Sequence, residues 1–444
     1  MIHYILLALF ILSLLSQASA QWLIAPPIPK ALSNNAVTSL DIGGINYTYS
    51  FMGIDTTKIW SGITRQAFSF NSTTGDWSEI ASVPGTEGRI GSAAVGFRGK
   101  VYLFGGYSVA ANGSETTYPN VDIYDPGANS WSSGAPVPVP VDDQVVGVWR
   151  NSLIYLISGW STNQNVKNVQ IYDPVLNSWQ QATEIPGAGV FGHSGGIVGD
   201  TIVYVDGARD SFNFPLNGGN FMGIINPQQP DSITWSSLPA HPGTRKYRAA
   251  AATLGKRIFF VGGTDNSYNF NGIGYNGQPS EPSDEVFAFN SVTGGWEDFG
   301  LSFRATMDHR GLGTRGDFAL TLVGGMMSGQ TVTNNVYFFA PVDPVSQVGP
   351  QDEFARIDDF QLIGNYPNPF NPITRIRYSL QKRLAVQLEV FSVSGERVAT
   401  LVDEVQSPGE KEATFYAADF SSGIYLYRLT TEFGSQTKKM VILK

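Results

Sequence analysis

The 444-residue sequence has no cysteine, four histidines and only 15% charged residues. Without cysteine there is no disulfide staple, no thiolate nucleophile and no cysteine-ligated zinc. Beyond the first twenty residues the histidines are His193, His241 and His309, which lack the paired spacing of a histidine metal centre. No metal and no cofactor is therefore expected. The 28 basic residues are outnumbered by 37 acidic ones, a net charge of -9. With no basic surplus to neutralise phosphates, nucleic acid is not an expected partner. No apolar run is long enough to span a bilayer. Glycine is abundant, with 49 residues, beside 19 tyrosines. Such a composition describes short strands and tight turns, and excludes a coiled coil or a disordered chain.

The N-terminus carries an apolar run, Ile5 to Leu15, followed by Ala18-Ser19-Ala20, the small-residue pattern at which signal peptidase cuts. Residues 1–20 thus read as a secretory signal, although Met1-Ile2-His3-Tyr4 lacks the usual lysine or arginine. A secreted chain without disulfides must be stabilised by buried area and sheet closure.

A repeat of about 50 residues organises the chain from Gln21 to about residue 340. Four segments place an aromatic residue at a strand end and tryptophan seven positions later: Phe70 and Trp77, Tyr124 and Trp131, Tyr172 and Trp179, Phe289 and Trp296. A fifth, around Ile225 and Trp235, contains an insertion. Each is preceded by an apolar strand ending in glycine, at Gly53, Gly105-Gly106, Gly159, Gly207 and Gly262-Gly263, and Gly324-Gly325 makes a sixth. The sixth unit lacks its indole: seven residues after Phe339 stands Ser346. The missing strand is expected from the other end, where Gln21-Trp22 leads into a proline-rich stretch of the same shape as Ser130-Trp131 through Pro138. First and last would then pair and leave no open edge.

These glycine doublets and spaced aromatic residues resemble the kelch repeat. The resemblance implies an all-β fold: a six-bladed β-propeller over residues 21–340, closed by the N-terminal strand. Residues 341–360, with prolines and five acidic side chains, read as a linker.

Over residues 361–444, alternation at Ile376, Tyr378 and Leu380 and at Val386, Leu388 and Val390, with turns at Gly395 and Gly423, indicates a small Ig-like β-sandwich. The stretches Asn365-Tyr366-Pro367-Asn368-Pro369-Phe370-Asn371-Pro372, Ser392-Val393-Ser394-Gly395, Ser422-Gly423-Ile424-Tyr425 and the terminal Lys438 to Lys444 are similar to the type A C-terminal sorting domain of the type IX (Por) secretion system of Bacteroidetes and relatives. That resemblance implies export through the outer membrane, with the secretion machinery as a partner.

In such a propeller the starts of the innermost strands and the loops after the glycines share one face. Arg89, Asp143, His193, Arg248, His309 and Arg310 open the inner strands, while Trp160, Asp265 and Asn266 come after the glycines. We expect ligand binding by Arg89, Asp143, Trp160, Arg248, Asp265, Asn266 and Arg310, because forked guanidinium donors and ring faces suit sugars and carboxylates. The favoured reading is a binding module for a glycan or protein ligand. The alternative is a carbohydrate-active enzyme resembling the sialic-acid mutarotases, with His193 or His309 moving a proton. A galactose-oxidase mechanism would need the missing cysteine. The Gly192-His193-Ser194-Gly195-Gly196 stretch matches a nucleophile elbow in letters but opens a strand instead of a helix.

Overall fold

The computed structural model describes residues 21–316, 318–341, 360–380, 382–393, 395–431 and 434–444. The expected signal segment and nearly all of the expected linker lie outside these residues. The chain divides near residue 345 into two compact units.

Alternating apolar strands and glycine turns give, in the first unit, six four-stranded antiparallel sheets among the described residues. Their first strands are Ala36–Ile42, Ala93–Phe97, Val145–Trp149, Ser194–Val198, Ala250–Leu254 and Gly313–Arg315. Each first strand packs on that of the next sheet, and the sixth packs back on the first, which closes a cycle. These strands are rich in Gly, Ala and Val, so six of them fit round one axis. They enclose a central channel of about 330 Å³.

The sheets run in chain order except the sixth, whose outermost strand is Gln21–Ala25, paired antiparallel with Val336–Ala340. Trp22 faces Phe339 in that ladder, as the missing indole of the last repeat demands.

Left-handed backbone explains the glycines after each second strand. Gly105 and Gly106 have φ of 59° and 86°, and a side chain on Gly105 would fall on the Val141 carbonyl oxygen. The first position of this doublet is left-handed in all six sheets, although three carry Met52, Ser158 and Asp206 there.

The indoles fasten neighbouring sheets. Nε1 of Trp77 donates to the Pro26 carbonyl at 3.0 Å, Trp131 to Ala81 at 2.8 Å, Trp179 to Ala135 at 2.8 Å, Trp235 to Thr183 at 3.3 Å and Trp296 to Pro239 at 2.9 Å. In each case the acceptor lies in or next to the outer strand of the preceding sheet, so one side chain both fills the gap and satisfies a crossing backbone. The inserted fifth repeat differs from expectation: Trp235 lies opposite Gly223, not Ile225, and a side chain at Gly223 would collide with the indole.

The second unit contains a three-stranded sheet (Phe360–Tyr366, Ile373–Leu380, Gly409–Tyr416) and a four-stranded one (Arg397–Gln406, Leu384–Ser392, Gly423–Thr431, Gly434–Ile442). Alternate residues of both, among them Ile376, Tyr378, Leu388, Val390, Leu429 and Ile442, share one core. The proline-rich segment straps the final strand: Phe370 exchanges backbone bonds with Val441 and Leu443, both at 3.0 Å, and the Asn368 side-chain oxygen accepts from the Val441 amide at 2.8 Å.

Candidate functional site

Six residues that precede the first strands are left-handed: Asn34, Gly91, Asp143, Gly192, Arg248 and Asp308. They form a hydrogen-bonded circuit round the axis. The amide of Asp143 donates to Gly91, Gly192 to Asp143, Arg248 to Gly192, His309 to Arg248 and Asn34 to Asp308, at 2.7–3.0 Å. The Asn34 side chain completes it, accepting from the Gly91 amide at 2.6 Å. Non-glycine residues in this conformation cost about 1–3 kcal/mol each and persist only where their surroundings fix them. Here the circuit supplies that constraint.

The side chains of four residues on or beside the circuit converge. Arg248 donates to Asp143 through Nη2 at 2.6 Å and Nε at 3.2 Å, and to Asp308 through Nη1 at 3.1 Å. Its guanidinium lies over the rings of Tyr247 and Tyr268, 5.0 and 5.3 Å from their centroids. Asp308 also accepts from Ser33, Asn34 and Tyr268 at 2.7, 2.9 and 3.0 Å. Arg310 reaches Asp143 from the channel side at 3.2 Å and donates to the Gln144 carbonyl at 2.8 Å. All four charged groups are buried. They form a septum with the channel on one side and a pocket on the other.

The pocket, of about 120 Å³, has ring walls from Tyr107, Trp160, Phe191, Phe214 and Tyr275, and polar groups from Asp142, Asp143, Glu115, Arg248 and Asn269. Trp160 packs on Phe191 and Phe214 at 5.4 and 5.6 Å. It is also tied to Asp142 by two backbone bonds of 2.9 Å. Among the described residues the Asp142 carboxyl accepts only from Thr117, at 2.8 Å.

The acids of the pocket differ in charge state. Burial, reinforced by the Asp143 charge, holds the Asp142 carboxyl well above the usual range. Burial also raises Glu115, an effect that Arg248 opposes and Asp143 adds to. Burial acts on Asp143 in the same direction, but the guanidinium groups of Arg248 and Arg310 prevail and lower it. Asp143 is therefore a carboxylate locked between two cations, and Asp142 and Glu115 are acids with no cation bound to them among the described residues.

The structure brings Asp143, Trp160 and Arg248 together in the pocket. Arg310 lies one layer below, facing the channel. His193 and His309 also line the channel: His193 Nε2 bonds to the Ile157 carbonyl at 2.9 Å and His309 Nε2 to Thr306 Oγ1 at 3.0 Å. Burial lowers both to about 3, with Arg310 adding to the effect on His193, so both rings are neutral at neutral pH. Arg89, two residues before the circuit, is buried against Asp122 and does not line the pocket. Asp265 is exposed, and Asn266 is engaged with Asn276 at 2.9 Å. Glu115, Phe191, Phe214, Tyr275, Asn34 and Asp308 were not anticipated. A usable signal existed in the long, aromatic-bearing loops that come after the glycine doublets.

Comparison with known proteins agrees with this architecture. A kelch motif model matches residues 88–138, and a secretion system C-terminal sorting domain model matches residues 365–443. A kelch-like protein, terF, from Aspergillus terreus is 30% identical over 142 residues, which cover 31% of this chain and 30% of that protein. The chain thus spans about a third of that relative's length. The solved structure of YjhT superposes with a TM-score of 0.57 at 16% identity, over 70% of this chain and 95% of that one. The chain is a kelch β-propeller carrying a type IX secretion sorting tail. The tail marks it for export to the cell surface or beyond, and no helix among the described residues is long and apolar enough to cross a membrane.

Proposed function

We propose that the protein is an exported recognition module: a six-bladed propeller over residues 21–340 that binds a small polyhydroxylated ligand in the Trp160 pocket. A signal peptide (1–20) and an Ig-like sorting sandwich (361–444) joined by a linker (341–360) deliver it. The observation that carries this reading is the pairing of ring walls with carboxyl groups that have no bound cation. Sugars offer apolar C–H faces to aromatic rings and hydroxyl donors to carboxyl oxygens. An anionic sugar is the poorer fit, because Arg248 and Arg310 already spend their donors on Asp143, Asp308 and the Gln144 carbonyl.

Catalysis of the mutarotase type has less support. His193 and His309, which would move the proton, lie across the septum from the pocket. The test is a glycan array probed with the full chain and with Trp160→Ala. Binding lost in the variant supports the reading. Equal binding by both proteins would move the site elsewhere.

A further inference from the structure

The cations round the pocket leave two of its acids without a partner. Arg248 and Arg310 are matched by Asp143 and Asp308, at 2.6 to 3.2 Å. That leaves Asp142 and Glu115, both lining the cavity, with no ion pair to either among the described residues. Asp142 is 97% buried, its relative exposure being 3%, yet only one of its oxygens is hydrogen-bonded. Its other oxygen stands on the pocket wall, open to a donor from outside the chain.

The walls facing these acids have a matching preference. Phe214 touches both Trp160 and Tyr275, with the Phe214 and Tyr275 ring centroids 4.5 Å apart. Aromatic faces carry negative quadrupole potential, which attracts a cation enclosed by several of them. Rings and carboxyls thus favour the same sign of charge.

Resting on the carbohydrate reading, we propose that the ligand bears a protonated amine, as in a free 2-amino sugar, with its ammonium held between Asp142, Glu115 and the Trp160 wall. An ammonium supplies three donors for the open carboxyl oxygens, where a hydroxyl supplies one. An N-acetylated sugar carries no such charge and would leave the acids unmatched.

The experiment is calorimetric titration of the full chain with glucosamine, glucose and N-acetylglucosamine. Glucosamine should bind about tenfold more tightly than glucose, the step expected of one cation–π enclosure. Asp142→Asn should remove that preference while neutral-sugar binding survives. Glu115→Gln, on the rim, should reduce it without disturbing the fold. Equal affinity for glucosamine and glucose would overturn the amine assignment and leave the carbohydrate reading standing. No binding of any of the three, with Trp160→Ala indistinguishable from wild type, would overturn both.

Discussion

Trp22 stacks on Phe339 with ring centroids 4.6 Å apart and planes inclined by 26°. The pair joins the first described strand of the chain to the third strand of the sixth sheet. Unlike the other five repeat indoles, Trp22 has a buried Nε1 with no partner among the described residues, so its contribution is ring packing alone. Trp22→Ala should destabilise the propeller by about 2–4 kcal/mol, as for large aromatic truncations, in denaturant unfolding. A change within error of wild type would show that Gln21–Ala25 does not fasten the last sheet.

Arg248 is the keystone of the septum. Arg248→Met strands the buried Asp308 carboxylate and leaves Asp143 to Arg310 alone, and should cost about 3–5 kcal/mol. The double variant Arg248→Met, Asp308→Asn should recover part of that loss, because it removes both charges of that pair and leaves Asp143 matched by Arg310. If the single and double variants unfold at the same midpoint, the septum is not held by charge pairing.

Arg315 is a buried cation of another kind. All three of its guanidinium nitrogens lack acceptors among the described residues, and the group lies 4.0 Å from the Phe338 centroid. Burial lowers it to about 10. Replacing an unpaired buried charge by an apolar side chain of similar length removes a desolvation cost. Arg315→Met should raise the unfolding free energy by about 1 kcal/mol, with the melting temperature as the readout. A clear loss would show that the ring contacts outweigh desolvation.

The channel histidines predict acid sensitivity. In the unfolded chain they protonate near 6.5, whereas in the folded protein they do so only at about 3. Between those values the unfolded state holds more protons, so stability falls as pH drops from 6.5 towards 3, by roughly 1 kcal/mol per pH unit for each ring. Asp142, raised instead of lowered, acts in the opposite direction. Melting curves between pH 7 and 4.5 should therefore show a steeper decline for wild type than for His193→Gln or His309→Gln. Parallel slopes would refute the assignment.

The repeats were legible because each needs an indole and a left-handed turn, which leave letters at fixed spacing. Even the absent tryptophan after Phe339 pointed to Trp22. The axial circuit was harder to read. Its six positions demand a conformation, not a residue type, and Asn34, Gly91, Asp143, Gly192, Arg248 and Asp308 share no letter pattern. Charged residues near each strand start therefore pointed to Asp143 and Arg248 but also to Arg89 in place of Gly91, His193 in place of Gly192, and His309 with Arg310 in place of Asp308. A slip of one or two residues places a side chain on the other side of the septum or in the sheet. Glu115, Phe214 and Tyr275 reach the pocket from outside the regular repeat, where no periodicity reports direction.

The pairing of Gln21–Ala25 with Val336–Ala340 makes the molecule sensitive to trimming at one place above others. A protease that removed five residues from the start of that strand would cut away a clasp and uncover a row of unpaired amides on Val336–Ala340. The exposed edge would be free to recruit a strand from another molecule. For an exported protein, the margin between a closed ring and polymerisation would then be a single short strand.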